Sequence, residues 1–528
     1  MVQLEFDEYF IFIRGITSKQ AEQLNAVWFQ SKQAYRLPKT LYAMRELWQL
    51  GIRGNLREEG IKRKQQLQEL MQLKKSIPES LMDNRLRPYQ QADVNYLYQI
   101  PHVAIFNEQR TGKTPTALKL IEKHNFRKGV IVCPASLIYN WEKEVKHWTD
   151  LTPVIVKFSK AQRKKVYNYF ATTNDLVLII SYDTLKLDVE FLTTPMEFMV
   201  LDEAHYINNH RSQRATACYR LAPFAKKRIA LTGTPARNNG AEVFGILKFL
   251  YPDMFPGYWA FVERLFHTWD APWGATEIGK PKRPQELEEI LNVISVQRKR
   301  KDVMQWIPEK TYETIVLDMS TKQRKAYDSM LNDFIVQSET GELLVDAPSI
   351  LSQLTRLRQL TLAPSLLDVN APSVKEDWLR EFLENETAQA VIFSTFSSYL
   401  KRLAKQLKIP LIIGETPLPE RQKIVEEFQQ GKHQFLLANI KAAGVGLTLD
   451  RAEVVIFLDR DYNPVNNEQA EDRIVPTTRQ SNQKVHIIDL VCRDTVDERI
   501  HKLLQRKKNI IALVNEYKDL GKFLGKKT

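Results

Sequence analysis

The chain is poor in cysteine: Cys133, Cys218 and Cys492 are the three thiols in 528 residues. They stand far apart, so there is no Cys-x-x-Cys zinc spacing, and a disulfide framework is not expected. No apolar run approaches the ~18 residues of a membrane span. The opening residues, MVQLEFDEYFIFIRG, carry acids early and lack a basic stretch followed by a long apolar one. They read as a strand and not as a secretion signal. No short-period repeat or low-complexity tract is present. A soluble protein of a reducing compartment, the cytoplasm, is the expectation.

What the chain has in excess is positive charge, with 76 Lys and Arg against 63 Asp and Glu, net +13. That balance suits a polyanionic partner. A hydrophobic share of 43% with 26% charged residues is globular composition and excludes disordered, collagen-like and coiled-coil classes. The length exceeds the ~250–300 residues at which single cores stop growing, so several domains are expected.

The first 80 residues stand apart from the rest. Phe10 to Ile13 reads as a strand, and Ser18 to Val27 and Thr40 to Leu50 read as helices. Leu56 to Lys75 is a charged stretch whose Arg57, Lys62, Arg63, Lys64, Lys74 and Lys75 form a candidate phosphate-facing strip. Pro78 marks a boundary. From Leu86 onward, short apolar runs alternate with amphipathic stretches: Val103–Phe106, Val130–Cys133, Leu176–Ile180, Phe198–Leu201 and Arg228–Leu231. A second set comprises Ala390–Phe393, Leu411–Ile413, Phe435–Ala438, Val454–Leu458 and Val485–Leu490. Runs this short, bounded by turns, predict buried strands of parallel sheets. Two such sets predict two α/β lobes. The division expected is 1–80 accessory, 81–255 first lobe, 256–370 helical insertions and linker, and 371–528 second lobe with a basic tail.

Residues 107–114, Asn-Glu-Gln-Arg-Thr-Gly-Lys-Thr, follow one of these runs and open a helical stretch. Strand, turn and helix start are the context that a phosphate-binding loop needs. Backbone N–H groups at a helix N-terminus cradle phosphate oxygens. Lys113 would then be the cation for the β- and γ-phosphates, and Thr114 would be a Mg²⁺ ligand. Pro115 fits the first helical turn because it has no N–H to lose there. Asn107 stands where the pattern asks for glycine. Asp202-Glu203-Ala204-His205 directly follows the run Phe198–Leu201. Two carboxylates at the end of a buried strand need a metal or a partner. Asp202 would be the second Mg²⁺ ligand, and Glu203 would orient or deprotonate the attacking water.

With both signals in order, residues 84 to 500 resemble the SNF2-type ATPases of helicase superfamily 2. Leu86-Arg87-Pro88-Tyr89-Gln90 looks like the segment whose glutamine reads adenine. VIVCPASLIYNW at 130–141 looks like motif Ia, Ser181 to Thr184 like motif Ib, and Asp202 to His205 like motif II. Leu231-Thr232-Gly233-Thr234-Pro235 looks like motif III. Gln323 to Leu331, Leu354 to Gln359 and Pro364 resemble the family's helical protrusion. Phe393 to Phe396, Lys441 to Leu449 and Gln469 to Arg473 resemble motifs IV, V and VI, with Asp461 to Pro464 resembling the aromatic-Asn-Pro turn before the last. Within the family, Met254-Phe255-Pro256, Phe261, Trp273-Gly274, Gln285-Glu286-Leu287, Arg298–Val303 and Pro308-Glu309-Lys310 look most like the annealing-helicase (HARP-type) branch.

The resemblance implies two RecA-like parallel-sheet lobes with SNF2-type helical insertions and a small N-terminal α/β module. It implies ATP and Mg²⁺ as cofactors and movement on duplex or branched DNA without sequence preference. Gln90, Arg110, Thr111, Gly112, Lys113 and Thr114 would bind ATP, joined by Arg473 and Arg479. Ser136, Ser394, Lys441 and Thr448 would meet the DNA backbone. His205, Thr232 and Thr234 would couple nucleotide state to DNA grip. Three positions depart from the family pattern. Arg110 replaces a loop glycine, so either the loop path changes or the guanidinium reaches phosphate or the adjacent lobe. Thr448 replaces an asparagine. Pro476 replaces the second motif VI arginine, leaving Arg473 as the arginine finger with Arg479 as a substitute. A monomeric enzyme of a bacterium or its phage is expected, with a single-strand-binding or replication protein as a partner. An RNA or single-strand helicase and an ATPase-weak DNA-binding scaffold are the rival readings.

Overall fold

A computed structural model describes residues 2–76, 83–157, 159–236, 239–270, 276–303, 310–339, 347–443, 447–475 and 485–505, without the side chains of 334–339, 347–351 and 443. The chain forms two units, Met1–Met304 and Gln305–Thr528. Among the described residues no helix is long and apolar enough to cross a membrane.

The first unit is built on a seven-stranded parallel sheet. Its spatial order is Ser295–Val296, Val103–Ile105, Ala225–Leu231, Met196–Asp202, Lys128–Cys133, Leu176–Ser181, Pro153–Ile155. Central strands such as Leu176–Ser181 are buried along their whole length. Both faces are covered, which is why they read as unbroken apolar runs and not as alternating ones. In a parallel sheet all carboxyl ends share one edge, where ligands bind. The loops after Val103–Ile105, Lys128–Cys133, Leu176–Ser181, Met196–Asp202 and Ala225–Leu231 are therefore gathered on that edge.

The N-terminal residues form more strand than expected. A four-stranded antiparallel sheet runs Gln3–Phe6, Phe10–Arg14, Ala34–Pro38, Val27–Phe29. Ile11 and Ile13 point to a core shared with Leu24, Ala43, Met44 and Leu47, while Phe10 and Phe12 point to the other face. The helix expected over Ser18 to Val27 stops at Leu24, where Asn25 takes φ 49 as a left-handed cap. Val27-Trp28-Phe29, β-branched and aromatic, then forms a strand. The charged stretch is one helix, Leu56–Lys75, with only Leu56 buried.

This module is keyed to the rest of the first unit by charge. Glu286 is fully buried, and its Oε1 accepts from Arg264 Nε at 3.0 Å and Nη2 at 2.7 Å, and from the Thr40 hydroxyl at 3.3 Å. Arg264 also donates to the Leu24 carbonyl. Arg283 donates to Glu46 Oε1 at 2.9 and 2.7 Å. Removing one partner of a buried pair strands the other charge, at about 3–5 kcal/mol. Arg264→Ala is thus expected to lower the thermal midpoint of the full chain by several degrees and to expose the 1–75 segment to protease. A midpoint unchanged from the parent would contradict this role.

The stretch 256–370, expected to be helical, is mixed. Ser295–Val296 completes the first sheet, Phe266–Asp270 pairs antiparallel with Thr276–Pro281, and Lys310–Leu317 is an edge strand of the second sheet. Backbone bonds from Phe106 N to Val296 O (2.8 Å) and from Glu108 N to Arg298 O (3.0 Å) carry the first pairing into the loop at 107–114.

The second unit holds a six-stranded parallel sheet in the order Lys310–Leu317, Val485–Cys492, Val454–Phe457, Ala390–Ser394, Phe435–Asn439, Leu411–Ile412. A separate cluster packs Tyr327 of helix Thr321–Glu339 and Leu354, Leu357 and Leu360 of helix Ala347–Leu362 against Val496 and Ile500. The protrusion-like segments of the sequence lie on these two helices.

Candidate active site

The strand Val103–Ile105 leads through residues 107–112 into the helix Lys113–Lys123, so the expected strand, loop and helix start are all present. Gly112 caps the helix at φ 77. A Cβ there would run into the Gln90 amide. Gln90 is buried and donates from Nε2 to the carbonyls of Thr111 (3.2 Å) and Gly112 (3.3 Å), while its Oε1 accepts from Arg87 N at 2.8 Å. Tyr89 donates its hydroxyl to Thr111 O at 2.7 Å. Tyr89 and Gln90 therefore buttress the loop directly. Thr111 is buried and donates to Glu108 O at 2.6 Å. Lys113 donates to Asn107 O at 3.1 Å and Glu108 O at 3.3 Å, closing the loop on itself. Thr114 is half-buried in the first helical turn.

Two departures noted in the sequence have physical explanations. Arg110 takes φ 63 itself, so the left-handed turn is made without glycine. The backbone accepts about 1–2 kcal/mol of strain there. Asn107 is fully buried, and its Nδ2 donates to Asp93 Oδ2 at 2.8 Å. Asp93 Oδ1 takes two bonds from Arg298, at 2.9 and 2.7 Å. The residue at the loop's first position is a side-chain anchor, which a glycine could not be. Gly112→Ala should combine left-handed strain of about 1–2 kcal/mol with the Gln90 clash. We expect a lower melting midpoint, and Gln90→Ala in the same chain should restore the steric part but not the strain.

The second half of the site follows Met196–Asp202. Asp202 is buried, with Oδ2 accepting from Trp141 Nε1 at 2.8 Å and Oδ1 from the Glu203 N–H at 2.9 Å. The Tyr182 hydroxyl donates to its carbonyl at 2.8 Å. Burial, and then the neighbouring Glu203 charge, push the Asp202 carboxyl up to about 6, against the pull of Trp141 and of the Lys113 charge. Glu203 sits at φ 49, a left-handed residue at a turn that aims its carboxylate. Its Oε2 lies 3.1 Å from His205 Nδ1, and that nitrogen is 3.2 Å from Thr232 Oγ1. Thr234 N donates to the same hydroxyl at 3.2 Å. The sheet order explains this contact, since Ala225–Leu231 lies between the strands that deliver the loop and the Asp-Glu pair. His205 thus contacts Glu203, Thr232 contacts His205, and Thr234 contacts Thr232.

In the second unit, Asp459 is a hub. Its carboxylate accepts from the Ser394 and Thr395 hydroxyls, and from Arg358 Nη2 at 2.7 Å. Arg358 also lies over the Tyr462 ring at 4.4 Å. Ser394 is fully buried, so the direct backbone contact expected of it is corrected: its hydroxyl faces Asp459 and braces the turn. Ser136 is half-buried, and Thr448 and Lys441 are exposed, Lys441 lying 3.6 Å from Asp461. Arg473 caps the helix Pro464–Asp472 and is half-buried, its carbonyl accepting from Leu449 N at 2.9 Å. Arg460 Nη1 holds Glu471 of that helix at 2.6 Å, and Lys310 bonds Glu471 at 3.0 Å and Asp472 at 3.1 Å. Arg479, Pro476 and Gly444 to Gly446 lie outside the described residues.

Phosphate and Mg²⁺ fit the first unit's donors. The loop 107–112 runs into the N-terminus of the helix Lys113–Lys123, whose backbone N–H groups suit phosphate oxygens, and Thr114 and Asp202 offer the few hard oxygens that Mg²⁺ takes from protein when phosphates supply the rest. Sequence reasoning missed Trp141, Asp93, Arg298, Arg358 and Asp459. Trp141, Arg298 and Arg358 lay inside quoted segments, but nothing in a single sequence pairs an indole with a carboxylate 61 residues away.

Comparison with known proteins agrees with this geometry. Residues 89–366 match the SNF2-related domain, and residues 374–475 match the helicase conserved C-terminal domain. Protein CHROMATIN REMODELING 4 of Arabidopsis thaliana is 27% identical over 482 residues, covering 81% of this chain and 21% of that protein. The SWI/SNF-related matrix-associated actin-dependent regulator of chromatin subfamily A containing DEAD/H box 1 of Rattus norvegicus is 26% identical over 508 residues, covering 80% of this chain and 49% of that protein. An ATP-dependent helicase of Mycoplasma genitalium is 24% identical over 469 residues, covering 83% and 44%. The chain spans between a fifth and a half of the length of these relatives.

Proposed function

Because the chain belongs to the SNF2-related family of helicase superfamily 2, we propose that it is an ATP-driven motor that moves along duplex or branched DNA. The observation that carries this reading is the convergence of the Lys113 loop and the Asp202-Glu203 pair at one edge of one parallel sheet, with Thr232 between them. Lys113 neutralises the β- and γ-phosphate oxygens, and Gln90 and Tyr89 hold the loop in shape. Mg²⁺, held by Thr114 and Asp202, would supply charge neutralisation at the phosphates. Glu203 orients the attacking water and takes its proton. His205 and Thr232 report the state of Glu203 to the loop at Thr234. Arg473 supplies a cation that stabilises transition-state charge.

Ser136, Lys441 and Thr448 contact phosphates, which carry no sequence code, so binding is sequence-independent and weakens steeply with salt. The net charge of +13 favours the same partner. Residues 1–80 serve as an accessory DNA-binding module, and the two parallel sheets, with the strands Ser295–Val296 and Lys310–Leu317 that 256–370 adds to them, are the cores of the motor lobes. The finer reading is annealing or fork remodelling by a HARP-type enzyme of bacterial or phage origin, acting as a monomer in the cytoplasm beside a single-strand-binding or replication protein.

ATP turnover measured with duplex DNA, single-stranded DNA, a forked junction and RNA tests the proposal. Strong stimulation by duplex or fork is expected. Stimulation by RNA alone would sink the DNA reading, and background turnover with every nucleic acid would favour a binding scaffold.

A further inference from the structure

The residues that hold a Mg²⁺ ion must be aimed as well as present, and one contact in the first unit bears on that aim. Asp202 carries two oxygens in a buried setting where burial disfavours the charged carboxylate. One oxygen is fixed by the N–H of its own chain neighbour, Glu203, at 2.9 Å. The other is fixed from a different element, by the Trp141 indole at 2.8 Å. Trp141 is 1% exposed and sits in the first turn of the helix Ile138–Trp148. An indole N–H is a donor only. It occupies one lone pair of the carboxylate and cannot compete with the carboxylate for a cation. Its effect is therefore to orient Asp202, as a metal ligand requires.

We propose that Trp141 is a positioning residue for the metal-holding carboxylate, acting through Asp202 and not on nucleotide itself. This rests on the reading of Asp202 as a Mg²⁺ ligand. The position of Trp141 gives the contact a further consequence. The turn Ala135–Leu137, with half-buried Ser136, runs directly into the helix that carries Trp141. Strain or displacement of that turn reaches the metal ligand through one hydrogen bond. The segment assigned to the DNA backbone and the carboxylate assigned to the metal are then mechanically joined inside the first unit. That path is independent of the His205–Thr232 contact.

The test is Trp141→Phe in the full chain, which keeps an aromatic ring and deletes the donor. A fluorescent ATP analogue is titrated in EDTA and then with Mg²⁺. A hydrogen bond to a charged group is worth about 1.5–3 kcal/mol. The half-saturating Mg²⁺ concentration should therefore rise roughly tenfold or more, with nucleotide affinity in EDTA unchanged. Trp148→Phe, on the same helix with its indole on Glu144, is the control and should leave the Mg²⁺ dependence as in the parent. A Trp141→Phe chain that melts earlier but keeps the parent Mg²⁺ dependence would mean a purely structural ring and would overturn the proposal.

Should that variant not fold, the indole N–H signals of the nine tryptophans in the parent chain give a second readout. One should move when Mg²⁺ is added to the ADP-bound protein, and none moving overturns the proposal. A parent chain that binds nucleotide with no Mg²⁺ dependence overturns the Asp202 reading along with it. Parent dependence with an unchanged variant overturns the Trp141 role alone.

Discussion

Glu203→Gln is expected to retain ATP binding and to lose about 10²–10⁴-fold in DNA-stimulated turnover, the range for removing a general base. Lys113→Ala is expected to abolish turnover and to weaken nucleotide binding as well. The two variants separate the roles because their partners differ. Lys113 lies on the loop carbonyls of Asn107 and Glu108, and its proposed role is to meet phosphate oxygens. Glu203 lies on His205, just after the strand that holds Asp202, and its proposed role is to act on water. Glutamine keeps the shape and one acceptor at that position, so the contact with His205 and the left-handed turn at φ 49 survive while the base is removed. Binding of a fluorescent ATP analogue and single-turnover hydrolysis, measured side by side, give the split. Full turnover by Glu203→Gln would move the base elsewhere, and full turnover by Lys113→Ala would remove the loop from the mechanism.

Much of this site was legible because its signals are local. A buried strand, a Gly-Lys-Thr turn and a helix start are contiguous in the chain, and so are Phe198–Leu201 and the Asp-Glu pair that follows. The strand runs were legible for the same reason, since parallel strands covered on both faces are apolar throughout. What the sequence hides is which local feature meets which. Asn107 reads as a missing glycine until Asp93 and Arg298 are placed beside it. Ser394 reads as an exposed polar residue of a motif, yet its hydroxyl is turned inward to Asp459. Of the N-terminal strands, Val27–Phe29 and Ala34–Pro38 escaped for a different reason. They are short and pair antiparallel, and Ala34–Pro38 meets Phe10–Arg14 across the helix Ser18–Leu24, so no single long run marks them. The helix at Ser18 was overextended because Ala26 and Val27 continue an apolar pattern, and the stop lies in the backbone of Asn25.

Arg473→Ala is expected to lower DNA-stimulated turnover by about 10³-fold or more, the effect of removing an arginine that stabilises phosphoryl-transfer charge. Nucleotide binding should be kept. The prediction singles out Arg473 because its neighbourhood is built to hold it. Glu471, two residues before it, is buried and gripped by Arg460 at 2.6 Å, by Lys310 at 3.0 Å and by the Tyr312 hydroxyl at 3.0 Å. Arg460 is in turn locked on Asp489 at 2.6 and 3.0 Å. The helix Pro464–Asp472 therefore ends at a fixed place, and the Leu449 N–H fixes the Arg473 backbone from the motif V side. A charge that must act in the transition state gains from such prior placement, since no reorganisation is left to do at that moment. Arg473→Lys should recover little, because a point charge on a flexible stem does not reproduce a planar guanidinium. Arg479→Ala serves as the comparison: a loss there equal to or larger than that of Arg473→Ala would transfer the finger to Arg479. Normal DNA-stimulated turnover by Arg473→Ala would remove the assignment, and the grip on Glu471 would then be a brace for the helix alone.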